Sequence, residues 1–284
     1  MSSKKTNKGK NARSTTKIYE KKTSKRPDKL ITSKIEDTKI NITTMKQSEK
    51  AVEILLKIRK YLKDIDKLSM LAELKNEAED KKEKVDPFRI LIGTVLSVRN
   101  KDESTIIAVK RLFDVAGINT PQKILEAPLE QIEELIKKAG MYKTKAKRLK
   151  EISRMIIEEY DGLVPKDMDE LVRLPGVGRK VAGCVLVYAY DIPAIPVDTH
   201  VHRISNRLGF CSTKKPEETE QELMKIFPKK YWTLVNDTFV IFGKVTCRPI
   251  SPNCKVCPVN DLCPKIIIEK PKITKKSKAQ PKSS

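Results

Sequence analysis

The run Leu174-Pro175-Gly176-Val177-Gly178-Arg179-Lys180 constrains this chain more tightly than any other stretch. Two glycines interrupt an apolar pattern that resumes at once as VAGCVLVYAY. The run therefore predicts a helix ending near Leu174, a tight turn, and a second helix from Arg179. Leu174 and Val177 would anchor the turn, and the glycines let a ligand approach the backbone with no Cβ in the way. The first N–H groups of the second helix lack intrahelical partners and lie at the positive end of its dipole. Such a turn is a ready phosphate site, with Leu174, Gly176, Val177, Gly178 and Arg179 as its expected contacts. A helix–hairpin–helix of this kind grips a DNA backbone without reading the bases.

The rest of the ordered sequence has the same helical period. Val52, Leu55, Leu56 and Ile58 share one side of a first amphipathic segment, and Pro87 opens the apolar segment PFRILIGTVLSV. Thr120-Pro121 reads as an N-cap with a first-turn proline, and Gly140 as a C-terminal cap. Residues 144–160 form a basic-then-apolar helix ending near Asp161-Gly162. Further helices fit 167–173, 179–190, 199–208, 216–227 and 230–243. No run of alternating apolar residues is bounded by hairpin turns, so the fold is expected to be all-α. With 284 residues, the chain suffices for one large domain or two modest ones.

Charge separates the helical part from its flanks. Lys and Arg number 59 against 37 Asp and Glu, a formal net charge of +22 that points to a polyanionic partner. Residues 1–50 hold 15 basic and 5 acidic side chains, and residues 265–284 hold 7 and 1. The stretch between them nets only +6. The flanks, 1–47 and 265–284, read as disordered basic arms too polar to offset their ordering entropy. No apolar run reaches the ~18–20 residues of a membrane span. The start, MSSKKTNKGK, lacks the apolar stretch of a secretory signal, so an intracellular, reducing compartment is expected.

Three further features carry chemistry. Lys180, in the first turn after the hairpin, can meet a phosphate or serve as a nucleophilic amine. Asp198 follows the stiff loop Pro193-Ala194-Ile195-Pro196-Val197 and starts the next helix. An N-cap there is compatible with catalysis, because the cap fixes the carboxylate. His200, two residues on, suits a phosphate contact or polar packing. Cys247, Cys254, Cys257 and Cys263 lie within 17 residues, with gaps of six, two and five. Nothing favours disulfides in a chain of this kind. Four thiolates suit tetrahedral zinc, yet only Cys254/Cys257 forms a short knuckle. The unequal, proline-rich gaps also suit an iron–sulfur cubane, and spacing alone leaves both open. Cys184 and Cys211 are isolated and read as packed thiols.

LPGVGRK, the proline-rich loop, VDTH and C-x6-C-x2-C-x5-C together resemble the endonuclease III family of DNA glycosylase/AP lyases, over roughly residues 50–264. The resemblance implies a [4Fe–4S] cluster on the four cysteines. It implies two helical domains with a DNA cleft between them. One is a six-helix bundle, 84–192, containing the hairpin; the other is a discontinuous cluster domain, 48–83 and 193–264. Lys180 would be the nucleophile that forms a Schiff base, and Asp198 the carboxylate that steadies the sugar cation. Arg99, where bacterial members carry glutamine, and Met141, where leucine is usual, would fill the gap left by a flipped base. The implied partner is double-stranded DNA with damaged or abasic sites, bound by a monomer. A mismatch-specific thymine/uracil glycosylase and a non-catalytic hairpin protein are the alternatives. The first tends to lack the lysine, and the second needs neither Lys180 nor Asp198.

Overall fold

The computed structural model describes residues 47–65, 69–80 and 83–266. The expected basic arms therefore lie almost wholly outside the described residues. Twelve α-helices and no strand occur among those residues. The first four are α1 (Gln47–Lys63), α2 (Met70–Asp80), α3 (Pro87–Ser97) and α4 (Asp102–Lys110). A π-turn, Arg111–Val115, extends α4. Next come α5 (Pro121–Glu126), α6 (Leu129–Leu135), α7 (Tyr142–Tyr160) and α8 (Met168–Arg173). The last four are α9 (Arg179–Tyr190), α10 (Thr199–Arg207), α11 (Pro216–Ile226) and α12 (Trp232–Val245). Among the described residues no helix is long and apolar enough to cross a membrane.

The apolar pattern accounts for the layering. In α3, Phe88, Ile90, Leu91, Ile92, Val95 and Leu96 are all buried, as befits a helix apolar on every side. Asp86 caps its start by accepting from Phe88 N at 2.9 Å, with Pro87 in the first turn. The equally apolar α9 packs on α3, and α5 packs on α7. A second apolar group joins α1, α10, α11 and α12 around Phe210, Phe227, Phe239 and Phe242. Phe210 meets Phe227 edge-on with centroids 5.6 Å apart and stacks on Phe239 at 6.2 Å. Residues 70–80, grouped by sequence with α1, instead pack against α3, α4 and α9 through Met70, Leu71 and Leu74. Their apolar residues fall at i, i+1 and i+4, which puts one stripe against α3.

Two glycines set how closely elements approach near the site. A Cβ at Gly183 on α9 would stand 3.2 Å from Pro196 Cγ, so the proline-rich loop lies directly against that helix. Asn236 on α12 holds the loop's far side, its amide donating to Pro196 O at 2.8 Å. At Gly243 on α12, a Cβ would meet His200 Nδ1 at 2.5 Å and Arg203 Nη2 at 2.8 Å. Arg203 cannot swing away without leaving Gly243 O and Cys247 O, which it binds at 3.1 and 2.9 Å. Replacing Gly243 by Ala should gain about 1 kcal/mol of helix propensity. The overpacking should cost about 1–3 kcal/mol, so the net change is a loss. A lowered urea midpoint for Gly243→Ala is expected; a raised one would contradict this packing.

Candidate active site

Leu174 and Val177 are buried and join through Val177 N donating to Leu174 O at 3.0 Å, which closes the hairpin turn. Gly176 has φ +74°, a conformation that glycine adopts without strain. The side chain of Arg148, on α7, lies over it, with Cδ 2.9 Å from where a Cβ would be. Gly178 starts α9 with no side-chain cap and open space around its Cα. The first N–H groups of α9 thus face outward at the positive end of the helix dipole. Arg148, which the sequence reading did not single out, adds a guanidinium to that corner.

Arg179, expected to contact DNA, is paired within the protein. Its Nε and Nη2 donate to the two carboxylate oxygens of Glu220 at 2.9 and 3.0 Å, and Glu220 is only 4% exposed. This bidentate pair ties α9 to α11. Its partner lies 41 residues ahead in the chain, so local sequence gave no sign of the pairing.

Lys180 is half-buried in the first turn of α9. One turn further into the helix is Cys184, which is fully buried. Burial pushes the Cys184 thiol up; the Lys180 ammonium pulls it down by charge and hydrogen bonding, and the Asp198 carboxylate pushes it up. Two side chains of opposite charge, 18 positions apart, therefore act electrostatically on one thiol. Asp198 caps α10, with Oδ1 accepting from His200 N at 2.8 Å and Val201 N at 2.9 Å. Both capping bonds use the same oxygen, which fixes the carboxylate while Oδ2 stays outside the cap. His200 packs between α10 and α12, its Nδ1 3.2 Å from Arg203 Nη2. Burial lowers its pKa, with Asp198 opposing and the Arg203 and Lys244 charges adding to the fall.

Arg99 and Met141 are both exposed, and both have left-handed backbones, φ +53° and +49°. Such a conformation costs of order 1–3 kcal/mol for residues other than glycine, and it collects at functional sites. Met141 is 55% exposed and starts α7 without a side-chain cap. Near these two residues lies Lys145, only 4% exposed, which sequence reading passed over. Its position was legible: Lys145, Leu149, Ile152 and Ile156 follow the 4-3-4 spacing of the buried face of α7.

The four cysteines line a single cavity of about 400 Å³ at the end of α12, together with Phe242, Val259 and Pro252. No three His, Cys, Asp or Glu among the described residues stand close enough to grip one metal ion. Burial pushes the Cys257 and Cys263 thiols up, and backbone N–H groups of Val259 and Lys265 pull them down. Lys265 N donates to Cys263 Sγ at 3.3 Å, and Arg207 Nη1 lies 3.6 Å from Cys247 Sγ. Arg207 also donates to Arg248 O and Pro249 O at 2.6 and 2.8 Å, which holds the loop around the first cysteine.

An all-helical fold with this hairpin is that of the HhH-GPD superfamily base excision DNA repair proteins, whose profile matches residues 92–229. Endonuclease III of Thermotoga maritima is 50% identical over 178 residues, covering 63% of this chain and 83% of its own. The Escherichia coli endonuclease III is 38% identical over 177 residues, 62% of this chain and 83% of that one. This chain belongs to the endonuclease III family. A trapped endonuclease III–DNA covalent intermediate, an estranged-adenine complex, superposes with a TM-score of 0.67 at 37% identity. That superposition covers 78% of this chain and 97% of the other. A thermostable thymine-DNA glycosylase, TM-score 0.60 at 24% identity, shares the fold.

The pairing of Arg179 generates a prediction. Arg179→Ala leaves a buried carboxylate without its partner and should cost about 1–3 kcal/mol of stability. Denaturant unfolding measures the loss. Weakened DNA binding at unchanged stability would return Arg179 to the phosphate role.

Proposed function

We propose that this protein is a bifunctional DNA glycosylase/AP lyase that removes oxidised pyrimidines from duplex DNA through a Schiff base on Lys180. The observations that carry the reading are Lys180 in the first turn of α9 directly after the hairpin and Asp198 fixed by its cap on α10, at the end of the loop that lies against α9. A nucleophile and a fixed carboxylate are what displacement at a sugar carbon requires. Membership of the endonuclease III family supports the reaction class.

The open N–H groups at Gly176 and Gly178, with Arg148 beside them, would hold a backbone phosphate. The damaged nucleotide leaves the stack at a cost of about a few kcal/mol. Arg99 and Met141, exposed on strained neighbouring loops, would enter the space it vacates. The Lys180 amine then attacks C1′, the bond to the base breaks, and the base departs with the electron pair. Asp198 steadies the sugar's positive charge and takes the proton that the lysine gives up. Ring opening at O4′ yields the imine between C1′ and Lys180 Nζ. The imine acidifies C2′, and loss of that proton expels the 3′ phosphate by β-elimination. The partner is double-stranded DNA containing damaged or abasic sites, bound by a monomer.

The donor set at the C-terminal cavity suits a [4Fe–4S] cluster. Cys247, Cys254, Cys257 and Cys263 surround one volume, and unequal, proline-rich gaps between four thiolates suit such a cluster. Backbone N–H groups and Arg207 aimed at sulfur are the support that metal-bound thiolates require. When bound, the cluster would tie the loop 247–263 down as a structural element. Free thiolates for such a cluster imply a reducing compartment.

Three outcomes are expected. Borohydride should trap the protein covalently on abasic or oxidised-pyrimidine DNA, and Lys180→Ala should remove the adduct; an untrappable wild-type protein would refute the lyase reading. Asp198→Asn should slow single-turnover excision by about 10²–10⁴-fold, with DNA affinity nearly unchanged. Equal losses in binding and rate would reduce Asp198 to a helix cap. The purified protein should be brown and contain about four iron atoms per chain, and zinc in their place would overturn the cluster.

A further inference from the structure

Lys145 is a buried lysine whose amine is spent on backbone carbonyls. Nζ donates to Leu96 O at 2.7 Å and to Ala139 O at 2.6 Å. Leu96 lies in the last turn of α3, three residues before Arg99. Ala139 ends a 3-10 turn, two residues before Met141. One side chain on α7 thus joins the two loops whose tips carry the left-handed Arg99 and Met141. The two loops also approach each other beside it, Asn100 Oδ1 standing 3.9 Å from where a Cβ on Gly140 would be.

A lysine at a core position is not what packing alone would select. Burying an ammonium is costly unless it is hydrogen-bonded. An apolar side chain in the same register, as at Leu149 and Ile152, would fill the space without that cost. What an apolar residue cannot do is bind two carbonyl oxygens on separate loops. Leu96 O is a terminal carbonyl of α3, one of those left without an intrahelical donor. Ala139, whose N–H closes the preceding turn on Ile136 O at 2.7 Å, comes just before Gly140 and Met141, both at positive φ. Burial and the nearby Arg148 charge lower the Lys145 pKa to about 8, so the amine is still mostly charged at neutral pH.

We infer that Lys145 is a positioning residue that locks the Arg99 and Met141 loops into one rigid wedge for insertion into the DNA stack. This rests on the wedge reading of those two tips. Held at a fixed separation, the tips enter the gap of the flipped nucleotide together and need not be ordered separately on binding. The strain at φ +53° and +49° persists because the amine, from below, holds the backbone before each tip.

The test uses the full-length protein and a duplex carrying a stable abasic analogue opposite 2-aminopurine, whose fluorescence rises when it is unstacked. In parallel, single-turnover excision is measured on a duplex lesion, and strand nicking on a single-stranded abasic oligonucleotide. The last needs no base extruded and no gap filled. Lys145→Met is expected to lose most of the 2-aminopurine signal and to slow duplex excision at least about tenfold, as loss of a charged hydrogen-bond tie implies. Single-strand nicking should stay within about twofold of wild type. Lys145→Arg, which can still reach both carbonyls, should recover part of the duplex rate.

An unchanged fluorescence signal and duplex rate in Lys145→Met overturn the inference. A parallel fall in all three readouts also overturns it, because a merely structural lysine would lower them together. Arg99→Ala and Met141→Ala are run alongside. If they leave the fluorescence unchanged, the wedge reading itself has failed; if they reduce it and Lys145→Met does not, only the lock has failed. Should Lys145→Met not fold, hydrogen exchange on the wild-type protein decides the matter. Residues 97–101 and 139–142 are expected to gain protection together on binding the abasic duplex, and independent changes would overturn the lock.

Discussion

The close approach of Gly183 to Pro196 is the contact on which the site depends. A β-carbon on α9 at that position would stand 3.2 Å from Pro196 Cγ, so the proline ring would have to give by a few tenths of an ångström. Without one, the loop lies flat on the helix whose first turn holds Lys180. Asn236 grips the loop from the other side through Pro196 O. Ala194, Ile195 and Val197 bury themselves in the same seam. The carboxylate thus arrives on a segment fixed at both faces, and the α10 cap fixes its last torsions. Preorganisation of this kind spares the reaction the cost of assembling its groups.

Around that centre, cationic side chains divide between structure and surface. Arg179 is committed to Glu220, Arg203 to carbonyls of α12 and the following loop, and Arg207 to the carbonyls around Cys247. Lys145 and Lys150 each bind two backbone carbonyls. The Gly176–Gly178 turn, by contrast, presents backbone N–H groups, with Arg148 beside them. A basic side chain in this fold is therefore as much a fastener for loop carbonyls as a phosphate contact. The formal +22 overstates the charge that the described core can offer to DNA.

What sequence revealed and what it hid follow the range of the interactions. Local chemistry was legible: the Thr120-Pro121 start of α5, the left-handed Asp161 ending α7, the all-helical pattern and the hairpin all depend on neighbours a few residues apart. The Asp198 cap was legible for the same reason. The ion pair of Arg179 was hidden because its partner, Glu220, lies on another helix. The packing of α2 on α3 was obscured by the charged residues 75–84, which follow the short apolar stripe Met70, Leu71 and Leu74. Lys145 stood in plain view in a core register, but a lysine among other lysines looks like a solvated face. The resemblance to endonuclease III supplied the residue roles that spacing alone left open, above all for the four cysteines.

The central claim is that one amine performs the chemistry. Peptide mapping by mass spectrometry of the borohydride-reduced protein–DNA adduct tests it most directly, because the chain offers many other lysines. The sugar remnant should be found on Lys180 alone. A remnant distributed over surface lysines, or located on Lys145, would contradict the account.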